Sequence, residues 1–456
     1  MALRTSNQSV PVDRLRKELN LFDGVAIVVG TIIGSGIFLI PSTIAAQLHS
    51  LATVLLVWIV GGILTLFGAL SLAEIGSIFP GTGGLCTYLR QAYGPLPAFL
   101  YAWALLVMIH SGSIAALGVA FGLYAGQIAP LTMIEVKLLS VLSIVTLTII
   151  NCIGIRGGKL VQNFIASAKM GGVAGVILLL NTKGTRPIHL LAAQETSIAA
   201  SFSLTNFTIA LVAVLWAYEG WHVISFVAGE MQRPTRDLPR SLIYGTTIVM
   251  LIFVAANLGY YHTLSPGEIQ SSNAVAASAV QKVFGSFASS TLSVLILISV
   301  LGSLNGMILT GPRVYYAMAC EGIFPRAFGR LSDRHGTPMV ALGVQGLWAA
   351  TLAASGSYQQ LFTDVIFTAW IFYGLAVAAV LVLRRTQPQL ERVFSVPGYP
   401  WLSLLFCATA AGVIFSTLVE RPGGASVGLG LLAIGVPVYF LGIGSRQASP
   451  KERTSA

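Results

Sequence analysis

Long apolar runs separated by short polar stretches dominate the chain from residue 21 onward. A membrane-spanning helix needs about 20 largely apolar residues. About twelve such runs begin near Leu21, Leu51, Leu96, Met133, Phe164, Leu204, Ser241, Phe287, Met339, Leu361, Trp401 and Ser426. Together they occupy well over half of the chain, so the pattern predicts an all-α integral membrane protein without a separate soluble domain.

The amino-acid composition narrows the classes of protein to which the chain can belong. Of the 456 residues, 55% are hydrophobic and 9% are charged, whereas a soluble chain is about 25% charged. This disfavours a soluble enzyme, a disordered protein and a nucleic-acid-binding protein. The four cysteines form no CxxC pair, and the HExxH motif is absent from the sequence. We therefore expect no metal site, no cofactor and no enzymatic activity.

The basic residues predict the orientation, because basic loops resist translocation. With the N-terminus inside, the cytoplasmic segments hold 19 of the 26 Lys and Arg residues. Both termini are then cytoplasmic, which requires an even number of spans. The predicted divisions are a cytoplasmic tail (1–20), two five-helix repeats (21–182 and 204–385), two additional helices (399–444) and a second cytoplasmic tail (445–456).

Two of the runs are interrupted. Gly30, Gly34 and Gly36 lie within the first run, and each glycine weakens a helix by about 1 kcal/mol relative to alanine. In the sixth run, Glu219 and Gly220 bring a carboxylate and a helix-weakening residue to membrane depth. Glycines also serve close helix packing. Breaks in the first and sixth runs together indicate an inverted five-helix repeat with its binding site at the breaks.

The two breaks offer complementary chemistry. Unwound backbone in a bilayer is tolerated where it lines a cavity or meets a polar ligand. The amides of Ser35 and Gly36 begin a half-helix, whose positive end suits a carboxylate. The carbonyls of Ile32, Trp216 and Glu219 suit an ammonium group. Such a site fits a zwitterionic amino acid.

Three motifs resemble those of the amino acid-polyamine-organocation superfamily, especially its L-type amino acid transporter branch. They are residues 18–38 with GTIIGSGIF, residues 216–221 (WAYEGW) followed by 229–242, and residues 302–306 followed by 311–313 and 321–325. The resemblance implies a leucine-transporter fold, with a 5+5 inverted repeat in which helices 1 and 6 are broken, plus two C-terminal helices. It also implies alternating access, in which one helix bundle rocks against a scaffold.

The resemblance also implies roles for individual residues. The Ser35 and Gly36 amides would hold the substrate carboxylate, and Trp216 would close over the substrate as an outer gate. A plainer interpretation of Trp216 is a packing or lipid-facing aromatic. The predicted substrate-binding residues are Ile32, Gly34, Ser35, Gly36, Trp216, Glu219 and Ser113.

Lys169 lies near the middle of the fifth run, where an ammonium costs a few kcal/mol. By resemblance, it stands where sodium binds in sodium-coupled relatives, which implies sodium-independent transport. Burial would lower its pKa and permit proton coupling. The alternative is that Lys169 snorkels to an interface, which its apolar neighbours on both sides disfavour.

Other polar residues allow more than one interpretation. The Glu219 side chain either pairs with a cationic substrate or serves the helix break in a transporter of neutral substrates. His110 and His222 face the pocket or a helix interface, and we favour hydrogen-bonded packing. Asp364 is either a helix-end acid or a cavity residue.

Three acids near predicted cytoplasmic ends are interpreted as structural, with an inner gate as the alternative. They are Asp23, Glu74 and Glu230. Their expected partners are Arg16, Arg90 and Arg236.

The function that we favour is uptake or exchange of neutral L-amino acids. A cationic amino acid or polyamine permease is the alternative, while a channel or a membrane enzyme has no supporting motif. The expected partners are an amino acid and the lipid bilayer, with proton coupling left open and no nucleic acid.

Animal members of the branch carry an outer-loop cysteine that links a heavy chain. Residues 125–135 contain no cysteine, so no disulfide-linked heavy chain is expected. The short tails favour a prokaryotic inner membrane.

Overall fold

The fold is given by a computed structural model that describes residues 17, 19–34, 36–153, 155–187, 203–272, 274–356, 358–420 and 422–441. Within these residues the elements are helical, and the extended pairing is a single bridge between Leu19 and Met231. A helix satisfies its own backbone hydrogen bonds, as the bilayer interior requires. The predicted all-α architecture is confirmed.

Each predicted run coincides with a helix or a series of helices in the described chain, numbered here as spans 1 to 12. Their bounds are Leu21–Ile32 with Gly36–Gln47, Leu51–Ile78, Pro95–Ala104 continued by Leu105–Ile109 and His110–Ile128, Met133–Ile153, Ile155–Lys183, Leu204–Ala217, Pro234–Thr263, Ser286–Cys320, Met339–Ser355, Tyr358–Thr386, Trp401–Glu420 and Pro422–Tyr439. Among the described residues, eight helices are long and apolar enough to cross a membrane alone, and the bent pair of span 1 adds a ninth.

Shorter helices connect the spans. Leu85–Tyr93 lies between spans 2 and 3, while Pro266–Ser271 and Val275–Phe284 lie between spans 7 and 8. Gly94 and Gly285 precede spans 3 and 8 with φ of 91° and 83°. Glycine adopts this left-handed conformation without steric cost, so the chain turns sharply into each long helix.

The spans differ in how deeply they lie in the molecule. The apolar window of span 3 is 89% buried, whereas those of spans 11 and 12 are 28% and 22% buried. Span 4 also presents apolar side chains outward, including Ile134 and Leu138. Lipid accommodates such side chains as well as a protein core does. Spans 1, 3, 6, 8 and 10 consequently provide the interior in which a polar site is shielded.

Candidate functional site

Span 1 is interrupted in its middle, as predicted. Its halves, Leu21–Ile32 and Gly36–Gln47, meet at 44°. At the end of the first half, the Gly34 amide donates to the Ile32 carbonyl at 2.7 Å, a shorter-range bond than the i to i−4 helix pattern. Ser35 lies outside the described residues. The helical ladder therefore ends at the predicted binding segment.

Span 6 is interrupted at the second predicted segment. Helix Leu204–Ala217 ends in a turn, and a 3-10 helix, Val223–Glu230, continues the chain. Gly220 adopts φ of 105°, and the Glu219 amide donates to the Trp216 carbonyl at 2.9 Å. Because a residue with an L side chain rarely adopts that φ, glycine allows the turn between these two helices.

The two breaks lie against each other. The Thr31 hydroxyl donates to the Gly220 carbonyl at 3.2 Å. A Cβ on Gly36 would lie 2.8 Å from the Ala217 Cα, and one on Gly220 would lie 3.2 Å from the Thr31 carbonyl carbon. The absence of these side chains permits direct backbone contact, so both interruptions contribute polar backbone to one region.

Lys169 reaches the break in span 1. Its Nζ donates to the Gly30 carbonyl at 2.7 Å and to the Ser303 hydroxyl at 2.6 Å, and the residue is 1% exposed. The Ser303 Oγ also lies 3.1 Å from the Gly30 carbonyl and 3.3 Å from the Ile33 carbonyl. No ion pair joins Lys169 to a carboxylate of the described chain. The Lys169 amino group is thus held by neutral oxygens.

Glu219 places a carboxyl group at the break in span 6. The Tyr373 hydroxyl of span 10 donates to its Oε1 at 2.5 Å. His222 Nε2 lies 3.4 Å from that hydroxyl, and His222 Nδ1 lies 3.9 Å from the Glu219 Oε1. No described Lys or Arg forms an ion pair with this buried acid. The partners of the Glu219 carboxyl group are therefore neutral, namely the Tyr373 hydroxyl and the Gly220 amide.

The carbonyls predicted to bind an ammonium group are partly occupied. The Ile32 carbonyl accepts a hydrogen bond from the Gly34 amide. The Trp216 carbonyl accepts from the Tyr218 and Glu219 amides. The Ser113 hydroxyl donates to the Ile109 carbonyl at 2.8 Å, within its own helix.

The histidines lie at helix interfaces. His110 Nε2 is 2.7 Å from the Met307 carbonyl of span 8, which agrees with the expected hydrogen-bonded packing. The His222 ring packs 4.7 Å from the Tyr373 ring, measured between centroids. The Asp364 side chain lies outside the described residues.

The three acids expected at cytoplasmic helix ends pair differently from the sequence-based expectation. Arg384 donates to both oxygens of Glu74, at 2.8 and 2.6 Å, and the Val396 amide donates to Glu74 Oε2 at 2.7 Å. Arg392 is 3.4 Å from Glu74 Oε1. The expected partners were wrong, because the observed partners of Glu74 lie more than 300 residues away along the chain.

Of the other two acids, Glu230 has a partner other than those expected, and Asp23 caps its own helix. Asp23 forms a capping box with Asn20 at the start of span 1, and Glu230 accepts a hydrogen bond from Arg313 at 2.6 Å. Arg90, a predicted partner, pairs instead with Glu321. Arg16 lies outside the described residues, while Arg236 is exposed at the start of span 7.

A short backbone pairing joins the start of span 1 to the end of the 3-10 helix that follows span 6. The Leu19 amide donates to the Glu230 carbonyl at 2.9 Å, and the Gln232 amide donates to the Leu19 carbonyl at 2.8 Å. Glu230 also pairs with Arg313 of span 8. This ion pair connects the paired segments at Leu19 and Glu230 to a third helix.

The segment between spans 7 and 8 holds an exposed ion pair. Lys282 Nζ lies 2.7 Å from both carboxylate oxygens of Glu268. These bonds, with those from the Ser265 amide and hydroxyl, lower the pKa of Glu268 to about 2. The pair lies far from the breaks in sequence and is a surface contact.

Tyr373, Thr31 and Ser303 were not singled out from the sequence as site residues. Ser303 belongs to the motif at residues 302–306, which offered a signal for its helix but not for its contact with Lys169. Tyr373 is one tyrosine within an apolar helix and gave no signal. No group of three or more His, Cys, Asp or Glu residues with metal-binding geometry occurs in the part of the chain described.

Comparison with known proteins gives consistent matches. The family model described as "Amino acid permease" matches residues 19–441. The serine/threonine exchanger SteT of Bacillus subtilis is 35% identical over 95% of this chain and 98% of its own length. The human cystine/glutamate transporter is 30% identical over 94% of this chain and 85% of its own. The mouse b(0,+)-type amino acid transporter 1 is 30% identical over 92% and 86%.

Proposed function

Since the chain belongs to the amino acid permease family, we propose that it transports neutral L-amino acids by alternating access and without sodium. Its relatives are named as transporters and exchangers rather than enzymes. The name of the serine/threonine exchanger favours small neutral substrates and exchange. Proton symport uses the same kind of pocket and is the competing mode of coupling.

The substrate lies between the two breaks in this proposal. The amides beginning at Ser35 and Gly36 hold its carboxylate, with Gly34 allowing close approach. The carbonyl oxygens of Ile32, Trp216 and Glu219 hold its ammonium group. The contact between Gly36 and Ala217 supports this arrangement, because it brings both backbones together.

Trp216 closes over the substrate from outside, and Ser113 faces the pocket from span 3. Trp216 is 6% exposed and directly precedes the turn of span 6. This location supports a gate, since a small change in the turn moves the indole relative to span 1.

The observation that carries the proposal is the environment of Lys169. Its ammonium contacts the Gly30 carbonyl and Ser303, so a fixed charge bridges spans 1, 5 and 8. A sodium ion would use the same kind of oxygen ligands. The lysine removes the need for that ion, which makes transport sodium-independent.

A cationic amino acid or polyamine permease is the second candidate. The buried carboxylate of Glu219, without a described Lys or Arg partner, favours it. In that case the ammonium or guanidinium group of the substrate would supply the missing charge.

The proposed topology has both termini in the cytoplasm of a prokaryote, with the chain in its inner membrane. The repeats extend over 21–182 and 204–385, followed by two additional helices over 399–444. The chain works without a disulfide-linked heavy chain, because the segment between spans 3 and 4 lacks cysteine.

Uptake into proteoliposomes tests the function. Labelled serine, threonine, alanine, leucine and arginine are added with sodium or choline outside. Vesicles are empty or preloaded with unlabelled substrate, with or without an inward proton gradient. Neutral uptake that needs preloading and ignores sodium identifies an exchanger, whereas gradient-driven uptake into empty vesicles identifies a proton symporter. Sodium-dependent uptake contradicts the role given to Lys169, and preferential arginine uptake favours the second candidate.

A further inference from the structure

The Glu219 carboxylate is oriented by span 10. Tyr373 is 1% exposed, and its hydroxyl donates to Glu219 Oε1 at 2.5 Å. The Tyr373 ring is fixed by the rings of Trp221 and His222, with centroids 5.8 and 4.7 Å away. A packed ring can hold its hydroxyl in one direction, so the carboxylate has a fixed partner at the interface of spans 6 and 10.

A buried carboxylate needs compensation, and two kinds are available at this place. One is the hydroxyl observed here, and the other is a positive charge brought by the substrate. A charge-assisted hydrogen bond is about twice as strong as a neutral one, so the tyrosine competes with an incoming cation for the same oxygen. His222 adds no fixed charge, since a histidine is charged only when protonated.

We infer that Tyr373 determines substrate specificity by occupying Glu219, so that the pocket accepts neutral amino acids and disfavours arginine, lysine and ornithine. Removal of the hydroxyl takes away the partner that span 10 gives to this buried acid, and the freed oxygen then binds the cationic end of such substrates. This inference rests on the proposed transport of neutral amino acids and adds a cause for that selectivity.

Tyr373→Phe is the direct test, because it removes the hydroxyl and keeps the ring. Purified protein is reconstituted into nanodiscs, and binding of a labelled neutral amino acid is competed with unlabelled serine, leucine, arginine and ornithine. We expect the ratio of arginine affinity to neutral affinity to rise by about tenfold or more, the range of one charge-assisted hydrogen bond. The double variant Tyr373→Phe with Glu219→Gln should lose this gain, because the gain depends on the carboxylate.

Tyr88→Phe is the matched control. Tyr88 is also fully buried, and its hydroxyl has no hydrogen-bond partner among the described residues. The same chemical deletion there should leave the selectivity ratio unchanged. Tyr373→Leu provides a second deletion if the phenylalanine variant does not yield folded protein, as judged by its thermal transition.

The outcomes separate the inference from the function beneath it. Wild-type protein that binds no neutral amino acid contradicts the proposed function. Wild-type protein that binds neutral substrates, with an unchanged ratio in folded Tyr373→Phe, overturns the inference alone. Equal binding of arginine and neutral substrates by the wild type also overturns it, because the hydroxyl then masks nothing. A gain that survives in the double variant shows that Glu219 is not its source and overturns it as well.

Discussion

The breaks in spans 1 and 6 differ from the helix ends that hold Glu74 and Glu230 in how their ionisable side chains are paired. At the breaks, Lys169 is held by a carbonyl and a hydroxyl, and Glu219 by a tyrosine hydroxyl. At the helix ends, Glu74 and Glu230 are paired with arginines.

The difference has a mechanistic meaning. Two opposite charges in an ion pair neutralise each other, and breaking such a pair is costly when it is buried. An ionisable group that contacts only neutral groups has no counter-charge, so a charged substrate or a proton can supply one. The breaks therefore suit binding, while the arginine pairs of Glu74 and Glu230 suit a structural contact between helices.

The largest predicted effect is on transport in Lys169→Ala. The substitution removes two hydrogen bonds from a charged donor, each worth about 1.5–3 kcal/mol. We expect initial uptake to fall by about 100-fold, with protein still present in the membrane. The measurement is uptake into proteoliposomes containing equal amounts of protein.

Lys183→Ala is its control, because Lys183 is an exposed lysine in the last turn of the same helix. It should retain uptake close to wild type. Near-normal uptake by Lys169→Ala would remove the proposed role of the buried charge.

The next effect concerns the close contact between the breaks. Gly220→Ala places a side chain at φ of 105° and 3.2 Å from the Thr31 carbonyl carbon. We expect a loss of stability of about 1–3 kcal/mol from the strained backbone, together with reduced substrate binding. Thermal unfolding in detergent, with and without substrate, measures both.

Gly171→Ala serves as the comparison in a helix with open space, since nothing lies within 4 Å of its Cβ position. That variant should match or slightly exceed the wild-type transition temperature. Equal behaviour of the two alanine variants would contradict a tight junction at Gly220.

Glu74→Gln tests the ion pair between Glu74 and Arg384. It removes the negative partner of Arg384 while keeping the size of the side chain. Glu74 is 1% exposed and Arg384 is 24% exposed, so we expect a loss of about 1–3 kcal/mol, below that of a fully buried pair. The midpoint of thermal unfolding reports it.

Glu321→Gln is the corresponding change at the more exposed pair with Arg90. Exposed pairs contribute about 0–1 kcal/mol, so this variant should be affected less. A larger effect at Glu321 than at Glu74 would reverse the proposed importance of the two contacts.

The smallest effect is predicted at Glu268 and Lys282 on the surface. The pKa of Glu268 is lowered to about 2, from about 4.3 in an unfolded chain. The stabilisation is therefore present above about pH 4.3 and is lost as the pH falls toward 2. Because both side chains are more than 40% exposed, solvent screening keeps it small.

Lys282→Met checks this sign. Its transition temperature should fall slightly below wild type at pH 7 in low salt, and the gap should narrow at high salt and at pH 3. A gap that widens at pH 3 would contradict the pairing.

The sequence predicted the helices well, because apolar length and glycine placement act locally. The twelve runs correspond to helices, and the predicted interruptions coincide with the ends of Leu21–Ile32 and Leu204–Ala217. Lys169 was identifiable as unusual, since a lysine within an apolar run is costly wherever that helix lies.

The sequence did not predict which residues of different helices contact each other. Glu74 meets Arg384, and Glu219 meets Tyr373, across separations of 310 and 154 residues. A helical pattern indicates which residues share a face but not which helix covers that face.

By itself, the amino-acid sequence determined a multi-span helical membrane protein with two interrupted helices and a buried cation, because each property follows from hydropathy or local backbone preference. Tertiary structure alone decided that Lys169 contacts the Gly30 carbonyl and the Ser303 hydroxyl, and that the Tyr373 hydroxyl donates to Glu219. It also decided that arginines from distant helices pair with Glu74 and Glu230. Those contacts depend on helix packing, in which residues far apart along the chain come within hydrogen-bond distance.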